Sequence, residues 1–233
     1  MKYVLKKELL SYFNNLSGYI YISLFFSVNS YYFVVSNLMA GQNNVAEYFQ
    51  SMSTTIMFLI PILTMKVYSE EKKHKTDQLL FTLPLNIYSL MLAKFLATFI
   101  IFLMGVFSTI LFVVILSFFG QVDYLIVLSS YLGIILAGSS FLSFGIFISS
   151  LTENQATASI ITFSILFFFN IVVYAKNYIN NPIVLKTIDV IAIFERYKLF
   201  TIGIFDFEAV VYYLSIVFLF FSLTKVSLTK HNI

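Results

Sequence analysis

Read as apolar and polar positions, the chain resolves into six long uncharged runs and one compact knot of charge at residues 66–75. A helix rising about 1.5 Å per residue needs about 20 apolar residues to cross a hydrocarbon core of roughly 30 Å. The runs predict spans at residues 18–38, 51–67, 95–120, 124–151, 155–175 and 209–224. The second contains Pro61, which is expected to interrupt it. The third and fourth are divided by residues 120–123, too few to hold a domain, and so predict a hairpin across the bilayer. The sixth has only 16 uncharged residues and reaches full length if Lys225 snorkels to the interface.

The polar stretches add three expectations. Tyr19, Tyr21, Tyr48, Tyr68, Tyr124, Tyr174 and Tyr212 fall near predicted span ends, where a ring with a hydroxyl suits the water interface. Leu5, Leu9, Tyr12, Phe13 and Leu16 share one face of residues 2–15 and predict an amphipathic interfacial helix before the first span. In the long segment 176–208, Asn180-Asn181-Pro182 signals a turn, and Leu185, Ile188, Ile191 and Ala192 recur at helical spacing. That spacing predicts a short interfacial or re-entrant helix before the last span.

Composition agrees with an all-α polytopic membrane protein: 60% of residues are hydrophobic, 11% are charged and 28 are Phe. No Cys is present, which excludes disulfide frameworks and thiolate chemistry. A net charge of +3 gives no reason to expect nucleic acid. The first run lacks a small-residue cleavage site and is expected to be a retained span. With the amino terminus inside, ten Lys fall on cytoplasmic segments, against Lys176, Lys186, Arg196 and Lys198 outside. The excess places both termini in the cytoplasm. The Phe, Ile, Asn and Lys bias suggests an AT-rich bacterial genome, hence the bacterial cell membrane.

What the spans lack narrows function further. None carries an ionisable residue that must sit near the bilayer centre, so the chain offers no carrier for a coupling ion. No phosphate loop is present, and active transport would need ATP hydrolysis on another chain. Glu70-Glu71 supports the one alternative of another class, an ATP-independent membrane enzyme or immunity protein such as a glutamate intramembrane protease, but that protease class also needs histidines within the membrane. His74 and His231 both fall in aqueous stretches. The fourth span, with Gly138, Ser139, Ser140, Ser143, Gly145 and Ser149, reads as a surface for close helix packing rather than a nucleophile site.

The knot itself reads Lys66-Val67-Tyr68-Ser69-Glu70-Glu71-Lys72-Lys73-His74-Lys75-Thr76-Asp77-Gln78-Leu79-Leu80-Phe81-Thr82-Leu83-Pro84. Thr76 or Asp77 can cap a short helix whose apolar side is Leu79, Leu80 and Leu83. Pro84 ends it before Asn86 opens the third span. A solvated basic loop that only sets topology is the plainer alternative.

In order and spacing this segment, continued by Leu92-Ala93-Lys94-Phe95, resembles the hallmark between the second and third spans of ABC-2 type permeases. Phe200, Gly203, Phe205 and Asp206 before Val211-Tyr212-Tyr213-Leu214-Ser215 are similar to that family's last span. One departure stands at Lys75, where the family often has Gly before the Thr. The resemblance implies a six-helix permease that pairs with a second permease chain and with cytosolic ABC ATPase subunits to form an ATP-driven exporter. It implies no catalysis and no cofactor in this chain, ATP and Mg being held by the ATPase. By position, it implies coupling contacts at Glu70, Glu71, Lys75, Thr76, Asp77, Gln78, Leu80 and Pro84, and a smaller one at Thr152, Glu153 and Asn154. A cavity lined by apolar and hydroxyl side chains would suit amphipathic peptides, lipids or hydrophobic drugs, with toxic or antimicrobial peptides preferred.

Overall fold

The computed structural model describes residues 2–41, 45–75, 86–175 and 192–230, and among these every regular element is a helix. In chain order they are α1 (Lys2–Asn14), α2 (Ser17–Phe33, whose last turns continue as a π-helix over Val34–Met39), α3 (Val45–Thr64), α4 (Lys66–Lys73), α5 (Ile87–Ser108), α6 (Ile110–Phe119), α7 (Tyr124–Leu151), α8 (Gln155–Ala175), α9 (Ile193–Thr201) and α10 (Phe207–Lys230). Among the described residues six stretches are long and apolar enough to cross a membrane: Ser17–Met39, Val45–Lys73, Ile87–Phe119, Tyr124–Leu151, Gln155–Val173 and Phe207–Thr229. The first and last helices meet the same end of the bundle, where Glu8 contacts Lys94 and Ser227 and Lys72 both contact Ser150; it is here called the terminal end.

Short polar side chains start four of these helices. Asn86, Asp123, Asn154 and Asp206 each accept a hydrogen bond from the backbone N–H two residues on, at 3.1, 2.9, 2.9 and 2.9 Å. Each satisfies one of the donors that a helix start leaves unpaired. Gly203 closes α9 with φ +84°, a left-handed turn that lets α10 head back through the bundle.

The fourth crossing, α7, is the hub, and its small residues explain why. A Cβ at Gly138 would lie 2.1 Å from Cζ of Phe102 on α5, and one at Gly145 would lie 2.3 Å from Oγ1 of Thr64 on α3. At Gly133 it would meet Cβ of Phe200 on α9 at 2.7 Å. Three different helices are thus seated on bare backbone of α7. The hydroxyls of Ser139, Ser140 and Ser143 each donate to a carbonyl three residues back at 2.7 Å, so they satisfy themselves within the helix.

Several expectations change. Pro61 does not interrupt α3, which stays helical to Thr64. Proline removes one N–H, and the helix tolerates that loss because it is held on several sides; the break comes at Met65, whose N–H still reaches the Pro61 carbonyl at 3.0 Å. Tyr21, Tyr48 and Tyr68 are buried rather than interfacial. Tyr48 packs against the rings of Phe33, Phe49 and Phe112, and Tyr21 lies against Gly105. Tyr19 and Tyr124 are exposed. Leu16 leaves the apolar face of α1, because it forms the left-handed corner (φ 58°) between α1 and α2. The last crossing extends beyond Lys225, whose ammonium contacts the Tyr88 hydroxyl at 2.5 Å and lies 4.2 Å from that ring's centre.

Helix α9 stands within the bundle. Its start touches the middle of α7, with the rings of Phe194 and Phe141 5.1 Å apart. Its end meets the start of α7, where Ser129 and Ser130 donate to the Phe200 carbonyl at 2.6 and 3.3 Å. Tyr197 and Tyr213 pin it by donating to the carbonyls of Phe49 and Ile193, at 2.9 and 2.7 Å. Residues 185–191, part of the stretch read as a helix from the sequence, lie outside the described residues.

Candidate functional site

The charged knot begins as α4, a polar helix that carries the second crossing past its break at Met65. A helix that restarts must satisfy its first N–H groups, and here another crossing does so. The Ser149 hydroxyl on α7 accepts from the N–H groups of Tyr68 and Ser69, at 3.1 and 3.2 Å, and donates to the Met65 carbonyl at 3.0 Å. The Tyr12 hydroxyl on α1 donates to the Leu63 carbonyl at 3.1 Å, and burial raises its pKa, so it stays a donor. The Lys66 ammonium sits 3.9 Å from the Tyr12 ring centre and bonds the Ser17 hydroxyl.

Below this joint lies an ion cluster. Lys94 on α5 has a side chain only 1% exposed, and its Nζ is 2.9 Å from Oε1 of Glu71 on α4 and 3.2 Å from Oε1 of Glu8 on α1. It also donates to the Val67 carbonyl at 2.9 Å. Lys7 approaches Glu71 at 3.9 Å. An isolated ammonium at such a depth would cost several kcal/mol to desolvate, on the order of the stability of a whole domain, so the site holds only with its carboxylates in place. The cluster opens into a cavity of about 290 Å³ bordered by Glu70, Lys66 and His74.

A third joint runs to the same last turn of α7, one residue beyond Ser149. Lys72 donates to the Ser150 carbonyl at 2.5 Å, and the Ser150 hydroxyl bonds Ser227 of α10 at 3.2 Å. Immediately beyond, Thr152 is extended, Glu153 is exposed, and Asn154 caps α8. Glu70, Glu71 and Lys75 therefore share the terminal end with Thr152, Glu153 and Asn154, and Lys72 ties the two groups together. Thr76, Asp77, Gln78, Leu80 and Pro84 lie outside the described residues. At Lys75, the departure from the family pattern, φ is 55°, a conformation that favours glycine.

In the sequence Lys94 and Lys72 read as topology signals and as part of the hallmark pattern, and Ser149 as part of a packing surface; nothing there marks Glu8 as an ion-pair partner or Tyr12 as a donor. The available signal was Lys94 as the one cation within the long apolar stretch from Ile87 to Phe119, together with Glu8 one turn before Tyr12 on the inward side of α1. The arrangement can transmit displacement: any movement of α4 pulls on α1, α5 and α7 through named polar contacts. It suits proteolysis poorly, since Glu71 is held by Lys94. Among the described residues no three His, Cys, Asp or Glu gather as a metal site.

Residues 13–182 match the family model described as ABC-2 family transporter protein, a stretch running from the end of α1 past the end of α8. It stops before α9 and α10, so the likeness noted around residues 200–215 lies beyond it. No curated protein matches the sequence. With most of its length matched and six helices among the described residues long and apolar enough to cross a membrane, the chain belongs to the ABC-2 family of membrane transporter proteins.

Proposed function

We propose that this chain is the permease subunit of an ATP-driven exporter in the bacterial cell membrane, with its terminal end in the cytoplasm. Cytosolic ABC ATPase subunits, which hold ATP and Mg, dock on α4 with the segment after it and on the Thr152–Asn154 connection. A second permease chain completes the transporter. The observation that carries this reading is the linkage of α4: Lys94 to Glu71 on one side and Lys72 to Ser150 on the other make the coupling segment a lever fixed to three crossings. Movement of the ATPases pushes that lever, and the crossings respond as connected bodies. The exported molecule is hydrophobic or amphipathic, with a toxic or antimicrobial peptide the preferred class and a lipid or drug next.

The test is co-expression with the ATPase encoded in a neighbouring reading frame. The wild-type permease is expected to copurify with it in fixed stoichiometry, and Glu70→Ala with Asp77→Ala to lower both capture and ATP-dependent export from vesicles. Full activity of this chain alone in liposomes, without nucleotide, overturns the proposal.

A further inference from the structure

A turn or two inward from the contacts that join Lys72, Ser150 and Ser227, the helices α4, α5, α7 and α10 surround a small cavity of about 10 Å³. That volume accommodates one water molecule and nothing larger. Most of its wall is apolar, formed by Met91 and Phe95 on α5, Ile146 on α7 and Phe221 on α10. Three residues with hydroxyls complete it: Tyr68 on α4, Ser143 on α7 and Thr224 on α10. They are 3%, 2% and 2% exposed, so bulk water does not reach them.

The three hydroxyls differ in what they have left to offer. Ser143 donates to the Ser140 carbonyl and Thr224 to the Phe220 carbonyl, each at 2.7 Å, so their protons are committed while their lone pairs can still accept. The Tyr68 hydroxyl is the reverse case. It is buried and makes no hydrogen bond among the described residues, which leaves its proton without an acceptor. The ring is also fixed in place: Ser149 accepts from the Tyr68 N–H at 3.1 Å, and the Lys94 ammonium lies 5.0 Å from the ring centre. A phenol held inside a packed interior has given up its hydration, and a buried hydroxyl needs a replacement partner.

From this juxtaposition we propose that the cavity is the binding site of one structural water molecule that joins α4, α7 and α10. The water accepts the Tyr68 proton and donates its own two protons to the Ser143 and Thr224 oxygens, which uses every unspent group. Three hydrogen bonds are the usual complement of a buried water. A cation finds no carboxylate among the lining residues, and an anion finds a single donor. The bridge ties α10 to α4 at a second level, deeper than the tie through Ser150 and Ser227. It does not depend on ATPase docking and stands whether or not the exporter reading holds.

The test is X-ray radiolytic footprinting of the full chain in detergent, in which hydroxyl radicals formed from a bound water oxidise the side chains beside it. Met91, which lines the cavity and is 1% exposed, is compared with Met57 on α3, a side chain of the same type that is 2% exposed. Met91 is expected to be oxidised at least about threefold faster, because a resident water supplies radicals that bulk solvent cannot deliver there. Tyr68→Phe and Thr224→Val keep the shape of the site and each remove one of the three bonds. Each is expected to lower the Met91 rate by about two- to fivefold, the scale of one neutral hydrogen bond. The unfolding midpoint of Tyr68→Phe gives an independent readout: with water bound, losing the hydroxyl lowers the midpoint, whereas in a dry cavity it removes an unpaired group and raises it. Equal oxidation of Met91 and Met57 in the wild-type protein, an unchanged Met91 rate in either folded variant, or an unchanged or raised midpoint for Tyr68→Phe overturns the proposal.

Discussion

Lys94 Nζ stands 2.9 Å from the Glu71 carboxylate and donates to the Val67 carbonyl of the same helix. Because Glu8 also reaches the ammonium at 3.2 Å, removing Lys94 leaves two carboxylates facing one another in a site that excludes most water. Lys94→Ala is expected to destabilise the folded permease by about 3 kcal/mol, within the range for breaking a buried pair from one side. Glu71→Gln should cost less, since Glu8 remains. Unfolding of both single variants and the double variant in detergent gives the coupling, expected above about 1 kcal/mol; additive effects would show that the pair does not interact in solution.

Ser149 is the second point where one side chain serves a different crossing. Its hydroxyl takes two N–H groups of α4 and donates to the Met65 carbonyl, so Ser149→Ala leaves the restart of the helix uncapped. The expected cost is about 1 to 2 kcal/mol, the range for losing a helix cap in a buried setting. Amide hydrogen exchange should rise at residues 66–73 and not at α10. An unchanged exchange pattern would mean that water or the helix itself satisfies those groups.

These two joints also show what the sequence could and could not reveal. The crossings were legible because apolar runs of the right length have few other uses, and α7 as a packing surface followed from its glycines and serines. The cluster was not legible, because Glu8 lies 86 residues from Lys94 and no periodicity connects them. A lysine near a span end satisfies the positive-inside pattern whether it is solvated or buried. Tyr48 and Tyr68 misled for a similar reason: a tyrosine one turn inside a helix end can face the interface or the neighbouring helices, and only packing decides. Pro61 marks a site where a kink is allowed, whereas the hydrogen bonds of Ser149 fix where the break falls.

Lys75 offers a test in the opposite direction. Its φ of 55° places a side-chain-bearing residue in the left-handed region just after α4. Such a residue costs about 1 kcal/mol there, and glycine does not. Lys75→Gly is expected to raise stability by roughly 0.5 kcal/mol after glycine's larger unfolded-state entropy is subtracted, whereas Lys75→Val should lower it by more than that. Thermal unfolding of the three proteins ranks them. If Gly and Val behave alike, the turn does not require this conformation.

The tightest glycine contact among the described residues sets the sharpest steric prediction. At Gly138 a methyl group would overlap the tip of the Phe102 ring at 2.1 Å, and Phe102 is fully buried, with no route outward. Gly138→Ala gains helix propensity of about 1 kcal/mol, but overpacking of this kind costs about 1 to 3 kcal/mol and also forces α5 away from α7. The net effect is a destabilised permease. Trimming the ring separates the two contributions: in a Phe102→Leu background the added methyl has room, so Gly138→Ala there should be neutral or stabilising while Phe102→Leu alone is destabilising. A compensation of at least about 1 kcal/mol in the double-variant cycle, measured by unfolding in detergent, is the expected result. Its absence would mean that α5 and α7 do not touch at this point, and the hub role assigned to α7 would fail with it.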